Sequence, residues 1–562
     1  MYNVQIAASS APNDYYDSFV YETIPRNGNG NLYDPNQPGY FCGPGAPCSA
    51  DDQITIEPSI GADMAWTQYL TSKDTIVRIT RRDNGLVDPS NVIIRPTSLG
   101  FKTSLSGNAL LVTVPFNSRG YRFSVEFQDN LWAYRRANLD ADSYYVQNKN
   151  PSGVNYVPSY DATNNPIVGV EPLNALMIFM SPFPSSDKIP DLNSAYIVPQ
   201  GLVSGLDQIQ DSVVYFAPGV YWFTGSAQAI LSDKTTWVYI APGAYVKGAI
   251  QYMSNSGTLQ ATGFGVLSGE QYVYQANTQQ GFKNIKSDDF SVKMWRAQSS
   301  QGAKWTVHGL TLNAPPFNSM DFYGTDLTSF SVDASDYKQV GAFFGQTDGM
   351  EMYPGSYVRD AFYHVGDDGI KAYYSNVVCE RMTIWKTNNA PIVQFGWYPR
   401  TIDNLTVNAI DVIHTRYISQ GTPWPRALVA SAASYVDQDS TKTADTTQRV
   451  SNFKFTNWRC EGNCPAILAF NPLENIDTML FQNIWIEKLH SLLVGESTIR
   501  IFTDGSGKAV ALGSNSADGL GLIIENFTVG STKISFDNNN WQHDQLGRLN
   551  IDGFWASHWT VQ

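Results

Sequence analysis

Two short stretches of the chain are repeated, and their spacing limits the folds open to it. The first pair is VVYFAPGVYW at 213–222 and WVYIAPGAYV at 237–246, offset by 24 residues. The second pair is TDGMEMY at 347–353 and DDGIKAY at 367–373, offset by 20 residues. The 3.6-residue period of helical repeats and the regular leucines of leucine-rich repeats are both absent. Short strands in coils of this length predict a right-handed parallel β-helix, with glycine and asparagine at its corners.

The first third of the chain has a different pattern. Short alternating segments at 91–95, 109–114 and 121–126 are separated by turns rich in glycine, proline, asparagine and serine, which is typical of a β-sandwich. A Pro- and Ser-rich segment after the apolar run 174–180 predicts a linker. We therefore expect an all-β chain, with a β-sandwich at 1–183, a linker at 184–200 and a right-handed parallel β-helix at 201–562.

The second repeat brings acidic residues into register. Equivalent residues on neighbouring coils lie about 4.8 Å apart, the spacing between paired strands. Asp348 then lies next to Asp368, with Asp367 on the same edge. By the same register Glu351 lies beside Lys371, and Tyr353 lies beside Tyr373.

A patch of three carboxylates is costly unless it has a use. Like charges within roughly 5 Å raise one another's pKa, so at least one carboxyl should hold its proton near neutral pH. A protonated acid beside ionised carboxylates is what glycoside hydrolysis requires. Two alternatives stay open: a calcium site, or Asp-Gly pairs that serve only as turns. Two Asp-Gly pairs in register favour catalysis.

Composition and net charge narrow the range of molecules that the protein could bind. The formal net charge of −14 argues against nucleic acid and against polyanionic substrates. Charged residues make up only 16% of the chain and aromatic residues 13%, which suits a protein that faces carbohydrate. No apolar run reaches membrane-spanning length, so no membrane is expected. The N-terminal residues follow a strand-like pattern without a signal peptide, and we interpret Met1 as a start from which a leader has been removed.

Four of the five cysteines form closely spaced pairs. Cys42 and Cys48 bracket a Gly/Pro loop, and Cys460 and Cys464 are four residues apart. Both spacings suit short-loop disulfides in an oxidising compartment, so we expect a secreted, extracellular protein. Cys379 is left over and is expected to be a buried free thiol. Two sequons begin at Asn404 and Asn526 and are compatible with secretion.

The motifs around the second repeat resemble those of glycoside hydrolase family 49, which comprises the dextranases and isopullulanase. The resemblance is carried by QTDGMEMY at 346–353 and HVGDDGIK at 364–371, and it extends over nearly the whole chain. The stretches IEPSIG at 56–61 and HTRYI at 414–418 resemble the dextranase branch rather than isopullulanase. The resemblance implies endo-hydrolysis of α-1,6-glucosidic bonds of dextran with inversion, releasing isomaltose and isomalto-oligosaccharides.

The resemblance also assigns roles to the acidic patch. Asp367 matches the general acid of the family, and Asp348 and Asp368 match the pair that activates water. Inverting enzymes keep roughly 6.5–9.5 Å between acid and base, so we expect Asp367 to be displaced from the stacked pair. Gly366 and Gly369 permit a corner that aims both Asp367 and Asp368 outward.

Further residues on the same edge are candidates for binding sugar. Aromatic rings stack on glucose, and polar side chains bond its hydroxyls; His364 could orient the acid. The predicted substrate-binding residues are Trp295, Asn318, Asp321, Glu351, Tyr353, His364, Lys371, Tyr373, Asn389 and Trp397. For Lys371 the alternative is a pairing with Glu351. His414 and Arg416 lie two coils further on and are weaker candidates.

No cofactor or metal is expected, and we expect a monomer. Three other functions stay open: an isopullulanase-type α-glucan hydrolase, a polygalacturonase relative, and a non-catalytic glucan-binding β-helix. The negative charge disfavours the polygalacturonase relative, and the binding module has no need of stacked Asp-Gly corners.

Overall fold

A computed structural model describes most of the chain. The described residues are 1–26, 62–83, 85, 87–135, 167–224, 228–284, 290–387, 391–416, 427–432, 444–489, 497–499, 502–512, 521–534, 549–551 and 559–561. Strands dominate them, and every helix in these ranges is a three-residue 3₁₀ turn. These turns are Pro89–Asn91, Thr97–Leu99, Gln128–Asn130, Ser186–Lys188, Leu192–Ser194, Leu206–Gln208, Thr278–Gln280 and Leu327–Ser329.

The N-terminal part is a sandwich of two five-stranded sheets. The first sheet has the strand order Tyr16–Ser18, Tyr2–Ala8, Thr75–Arg81, Ala109–Val114, Lys102–Ser106. The second has the order Val20–Thr23, Asp63–Thr71, Asn174–Pro182, Tyr121–Phe127, Val92–Arg95. Neighbours are antiparallel except Asn174–Pro182 with Asp63–Thr71. Strand Leu131–Arg135 pairs with Ile167–Pro172 outside both sheets. Alternating residues such as Val77, Ile79 and Phe123 fill the core between the sheets.

The rest of the described chain winds into coils that share one 21-stranded sheet. In the first coils each turn contributes two short strands. These are Ala195–Ile197, Gly201–Val203, Val213–Phe216, Gly219–Phe223, Trp237–Ile240, Ala244–Lys247, Thr258–Thr262, Val266–Ser268, Lys304–His308, Thr311–Asn313, Ser331–Ser335 and Lys338–Val340. From residue 357 onward the two merge into single long strands. These are Tyr357–Val365, Val377–Lys386, Ile402–Thr415, Arg449–Cys464, Met479–Leu489 and Leu522–Val529, with Asn475–Ile476, Thr532–Lys533 and Trp559–Val561 completing the sheet.

Each coil also has a face that lies outside the 21-stranded sheet, and we call it the third face. It begins as a four-stranded parallel sheet: Ala229–Ile230, Ile250–Tyr252, Trp295–Gln298 and Met320–Tyr323. It continues as a six-stranded parallel sheet: Ile370–Lys371, Val393–Gly396, Ala427–Ala432, Ala466–Phe470, Ser497–Ile499 and Leu549–Ile551. The non-strand segment 348–353 lies between them and is tied to the next coil by the Gly349 amide, which donates to the Asp368 carbonyl at 2.9 Å. A short hairpin pairs Ala276–Asn277 with Lys283–Asn284.

The long strands bend where one residue adopts a left-handed conformation. Asn457, Asn483 and Asn526 hold this position on successive coils, with φ of 60°, 57° and 51°. Asparagine tolerates this region better than most residues. The side chains also form a ladder, because Asn526 Nδ2 donates to Asn483 Oδ1 at 2.8 Å and Asn483 Nδ2 to Asn457 Oδ1 at 2.9 Å.

The sandwich packs against the outside of the coils through one apolar surface, here called the docking cluster. Its members from the sandwich are Met64, Trp66, Ala175, Met177 and Phe179, and those from the coils are Val266, Val340, Phe343, Phe362, Trp385 and Ile413. Buried ion pairs border it. Arg122 bonds Asp336 at 2.9 Å, and Arg95 reaches both Glu126 and Glu461, at 3.2 and 2.9 Å.

The prediction of an all-β chain, a β-sandwich followed by a right-handed parallel β-helix, is confirmed. The segment predicted as a linker differs from expectation at its end. Strand Ala195–Ile197 already pairs in parallel with Val213–Phe216, because its alternating Ala-Tyr-Ile pattern suits a strand, whereas the prolines and serines before it form 3₁₀ turns. Within the described ranges, no helix has the length and apolar character to cross a membrane.

The cysteine predictions hold where the structure describes them. Cys460 and Cys464 form a disulfide with an S–S distance of 2.09 Å. Cys379 is free and buried, with its Sγ 3.4 Å from Met352 Sδ, and burial raises the pKa of its thiol. Cys42 and Cys48 lie outside the described residues.

Candidate active site

The acidic patch forms at one position of consecutive third-face turns. Asp348 and Asp368 each precede a glycine, and the bond from the Gly349 amide to the Asp368 carbonyl sets their turns side by side. The Ile370 amide donates to the Ile392 carbonyl at 2.7 Å, which continues the stacking into the next coil. Hydrogen bonds between the turns thus place residues twenty positions apart side by side, as the repeat predicted.

The three carboxylates lie close together. One oxygen from each of Asp348, Asp367 and Asp368 lies within 4.8 Å of the others. Asp348 and Asp368 are buried, and Asp367 is partly exposed. The Asp367 Oδ1 atom accepts a hydrogen bond from the Asp368 amide at 2.8 Å, which fixes the direction of the side chain. Asp367 therefore faces the accessible side of the patch.

A lysine and a side-chain amide bind one member of the patch. The Lys371 Nζ atom lies 2.5 Å from Asp348 Oδ2 and 2.5 Å from Glu351 Oε1. The Asn318 side chain, with its NH₂ group turned toward the patch, donates to Asp348 Oδ1 at 2.9 Å and to Oδ2 at 3.2 Å. The predicted neighbours Glu351 and Lys371 are thus confirmed, and Lys371 also reaches Asp348.

Burial and mutual repulsion hold protons on the other two members. Burial, with the Asp348 charge, raises the pKa of Asp367 to about 7. Burial and the charges of Asp367 and Asp348 raise the pKa of Asp368 well above its usual range. This agrees with the expectation that the patch retains a proton near neutral pH.

The glycines of the corner are needed for space rather than for a left-handed backbone. Neither Gly366 nor Gly369 has a positive φ, so the conformational reason expected for them is wrong. A Cβ on Gly366 would lie 2.1 Å from the Phe344 carbonyl oxygen, and one on Gly349 would lie 2.1 Å from the Gly369 carbonyl oxygen. The turns approach so closely that no side chain fits between them.

The expected displacement of Asp367 from the other two carboxylates is not seen. Acid and base in inverting enzymes stand roughly 6.5–9.5 Å apart, whereas the nearest oxygens here lie within 4.8 Å. The reason is that Asp367 follows the same tight turn as Asp368 and does not extend away from it. The distance therefore supplies no argument for inversion.

Three residues predicted to bind substrate lie in the core instead. Trp295 is 1% exposed and packs edge-on against Trp305. Tyr353 is 4% exposed and accepts a hydrogen bond from the Phe322 amide, so it stacks with Tyr374 rather than lying beside Tyr373. The strand alternation expected for segment 348–353 fails because the segment is not a regular strand.

His364 is the third of these. Its ring is 1% exposed and packs against Phe343 and Trp385 of the docking cluster. Burial lowers the pKa of its imidazole well below the usual value. It is a neutral ring behind the site, so the prediction that it binds substrate or orients the acid is wrong.

The other predicted binding residues lie on or beside the third face. Asp321 is held by two hydrogen bonds from Arg296, at 3.0 and 2.9 Å. The ring of Tyr373 lies beneath the Arg400 guanidinium, 4.4 Å from its carbon, and burial together with the Asp368 charge raises the pKa of its phenol. Trp397 is 9% exposed and follows strand Val393–Gly396 on the next coil. Asn389 lies outside the described residues.

His414 and Arg416 do not reach this face. His414 Nε2 lies 2.7 Å from Glu126 Oε1, and Arg416 Nε donates to Glu171 Oε1 at 2.8 Å. Both partners belong to the sandwich side, so these residues join the two parts of the chain. Their suggested role in the cleft is wrong.

Sequence reasoning missed several residues that support the patch. Gln339 Nε2 donates to the backbone carbonyl groups of Asp348 and His364, at 2.9 and 3.2 Å, which ties the two turns together. Lys386 is buried, and its charge counteracts the rise in the pKa of both Asp367 and Asp368. Lys386 faces the patch from the next coil, and only the register of strands 357–365 and 377–386 could have located it.

The calcium alternative is disfavoured by the chemistry of the donor set. Three carboxylates would suit a hard cation. However, the Asp348 Oδ2 atom already contacts the Lys371 ammonium group at 2.5 Å, and a metal ion would face that positive charge. Asp348, Asp367 and Asp368 are thus better suited to moving protons than to holding a metal.

A β-helix that carries a carboxylate patch able to hold a proton has the groups that a glycoside hydrolase uses. Comparison with known proteins agrees. The description "Glycosyl hydrolase family 49 N-terminal Ig-like domain" matches residues 1–183, and "Glycosyl hydrolase family 49" matches residues 439–562. "Beta solenoid repeat from Dextranase" matches residues 316–349, and "Isopullulanase beta-solenoid repeat" matches residues 385–417. The chain belongs to glycoside hydrolase family 49.

Individual relatives are similar over most of their length. The Dextranase of Talaromyces minioluteus is 41% identical over 100% of this chain and 88% of its own. The Isopullulanase of Aspergillus niger is 38% identical over 96% of this chain and 87% of its own. Among solved structures, Dex49A from Penicillium minioluteum superposes with a TM-score of 0.86 at 40% identity, covering 100% of this chain and 94% of its own.

Proposed function

We propose that the protein hydrolyses internal α-1,6-glucosidic bonds of dextran with inversion, releasing isomaltose and isomalto-oligosaccharides. The observation that carries the acid/base chemistry is the cluster of Asp348, Asp367 and Asp368, in which one carboxylate oxygen of each residue lies within 4.8 Å of the others. Inversion is proposed from the family 49 resemblance and not from this distance. The substrate is supported by the 41% identity to a dextranase.

Asp367 is the general acid. Its pKa of about 7 leaves it protonated at mildly acidic pH, and it is the member of the patch that faces outward. It gives its proton to the glycosidic oxygen as the bond from that oxygen to the anomeric carbon breaks, so the leaving sugar departs as a neutral alcohol.

Asp348 and Asp368 activate the water. A carboxylate of this pair takes a proton from water as its oxygen attacks the anomeric carbon from the face opposite the leaving group. The proton count balances, because the acid loses one proton and the base gains one. Exchange with solvent then restores both.

Side chains on the third face hold the glucose units. Asn318, Asp321, Glu351 and Lys371 offer polar groups for sugar hydroxyls, and Tyr373 and Trp397 offer ring faces. Asn389 is retained as a candidate from the sequence alone. We also propose a division into a sandwich at 1–183, a connection that ends before strand Ala195–Ile197, and a catalytic β-helix that begins with that strand, and that the protein is secreted and monomeric.

A second candidate is an isopullulanase-type activity on α-glucan, favoured by the 38% identity to Isopullulanase and by the repeat matched at residues 385–417. Separate incubations with dextran and with pullulan, followed by sizing of the products, distinguish the two. Rapid shortening of dextran to small oligosaccharides is expected. Cleavage of pullulan alone would replace the proposal, and dextran that is bound but never cleaved would indicate a binding module.

The stereochemistry is tested on fresh product. Proton NMR within the first minutes of dextran cleavage should show reducing ends in the β configuration, since an α bond is inverted. Initial α ends would mean that configuration is retained, and the acid/base assignment would then be wrong.

A further inference from the structure

Lys371 lies at the centre of the charges around the patch. Its amine contacts Asp348 Oδ2 and Glu351 Oε1, both at 2.5 Å, and its side chain is mostly buried. Asp368 and Tyr373 also contribute to its electrostatic surroundings. Burial alone would lower the pKa of the Lys371 amine, but the charges of Asp348 and Glu351 raise it well above its usual value. The amine therefore stays a cation throughout the range in which carboxylates titrate.

The other charged residues near Lys371 do not replace Asp348 and Glu351 as partners of its ammonium group. Asp321 lies on strand Met320–Tyr323, two coils before Lys371, and Arg296 takes both of its carboxylate oxygens, at 3.0 and 2.9 Å. Lys293, on the preceding coil, is buried above the Phe317 ring and adds a weaker positive field. Lys371 is thus left to Asp348 and Glu351.

The other two carboxylates have a different environment. The buried Oδ1 atom of Asp368 has no hydrogen-bond donor among the described residues. Asp367 Oδ1 accepts from the Asp368 amide, and Lys386 adds a positive charge from the next coil. Asp348 alone combines contact with a cation and two amide hydrogen bonds.

We propose that Lys371 is a positioning residue that assigns the base role to Asp348: its ammonium group contacts Asp348 Oδ2 and, with the Asn318 amide, holds this carboxylate in place. This inference rests on the proposed function and deepens it, since it selects one base from two. Glu351 is then a second carboxylate that shares the cation rather than a sugar ligand alone.

The test replaces Lys371 and follows kcat/KM for dextran against pH. Lys371→Met keeps the length and removes the positive charge that contacts the proposed base. The acidic limb should move up by about one pH unit or more, because a contacting opposite charge lowers a carboxyl pKa by about 1–3 units. The alkaline limb, which reports Asp367, should move up less. Lys371→Arg should restore the acidic limb.

A second variant shifts the profile the other way. Glu351→Gln releases Lys371 to Asp348 and removes a nearby negative charge, so the acidic limb should move to lower pH. This keeps the inference testable even where Lys371→Met folds poorly. A role in sugar binding alone would lower kcat/KM at every pH without moving either limb, and a purely structural role would lower the melting temperature with the limbs in place. Either result would overturn the inference.

Azide tests the choice of base directly. In Asp348→Ala the small anion can occupy the vacated site beside Lys371 and attack the anomeric carbon, while Asp367 protonates the leaving oxygen, giving a β-glucosyl azide. Removal of a general base is expected to lower the rate by about 10²–10⁴-fold. Azide should then raise the rate of Asp348→Ala by at least about tenfold. Equal or greater rescue of Asp368→Ala would refute the assignment to Asp348.

Lys304→Met is a matched control. Lys304 is an exposed lysine of a β-helix strand whose partner is Asp333, at 3.1 Å. Its profile should coincide with that of the parent. If the parent protein cleaves no dextran, the proposed function fails; if the parent cleaves dextran and Lys371→Met leaves the acidic limb unmoved, only this inference fails.

Discussion

Gly366→Ala should damage catalysis much more than folding. The residue precedes Asp367, and its amide donates to the Thr347 carbonyl and to Thr347 Oγ1, both at 3.0 Å. An added Cβ would lie 2.1 Å from the Phe344 carbonyl oxygen and 2.7 Å from Thr347 Oγ1. The first neighbour is backbone, so the clash cannot be relieved by turning a side chain.

The size of the effect follows from the geometry. Carbon and oxygen atoms that are not bonded pack at more than 3 Å, so the corner must move by about 1 Å, and a shift of that size at a reacting group costs about 10²-fold in rate. Overpacking of this kind costs about 1–3 kcal/mol of stability. In a chain of this length that lowers the melting temperature by only about 1–3 °C.

Initial rates on dextran and a thermal melt measure the two effects separately. Gly257→Ala is the matched control, because a Cβ there meets nothing within 4 Å and its φ is not positive. The control should keep the parental kcat and melting temperature. A Gly366→Ala enzyme with kcat within threefold of the parent would show that the corner tolerates displacement, and the argument that close packing aims Asp367 would be refuted.

Three further predictions concern single groups. Asp367→Asn should lower kcat by about 10²–10⁴-fold with an unchanged circular dichroism spectrum, since an amide cannot donate the proton; activity within severalfold of the parent would reject the role. The kcat/KM profile should fall by about tenfold per pH unit above about 7, because Asp367 must be protonated and its pKa is about 7; an alkaline limb below pH 5 would contradict this. Burial would raise the pKa of Glu126, but the charges of His414 and Arg95 outweigh burial and lower that pKa to about 2. Ionised Glu126 therefore contributes about 3 kcal/mol to the free energy of unfolding. This contribution is present above pH 4.5 and is lost as the pH falls toward 2. Urea unfolding of the parent and of Glu126→Gln at pH 6 and pH 3 checks this, and equal pH dependence in both would contradict it.

The repeat allowed the coiled architecture and the acidic patch to be predicted, because register in a parallel β-helix follows directly from sequence offset. Glu351 contacts Lys371, and the turns that hold Asp348 and Asp368 lie next to each other. The alternation rule failed at Tyr353, since segment 348–353 leaves the regular ladder and turns this ring into the core.

Contacts between distant parts of the chain could not be predicted from the sequence. His364, His414 and Arg416 resemble functional residues in their chemistry. His364 is buried against Phe343 and Trp385 of the docking cluster, and Glu126 and Glu171 of the N-terminal part are the partners of His414 and Arg416. No periodicity within the coils indicates which outer surface another domain will cover. The support that Gln339 gives to the Asp348 and His364 backbone depends in the same way on three-dimensional packing.

The docking cluster has a consequence for any attempt to make a smaller enzyme. Phe362 lies on strand Tyr357–Val365, which runs directly into Gly366 and the corner that holds Asp367, and Phe343 and Trp385 belong to the same cluster. A chain trimmed to the coils alone would expose these rings to water and deprive Arg416 of its Glu171 partner. We therefore expect a chain without the N-terminal domain to be less stable and more prone to aggregate than the full chain.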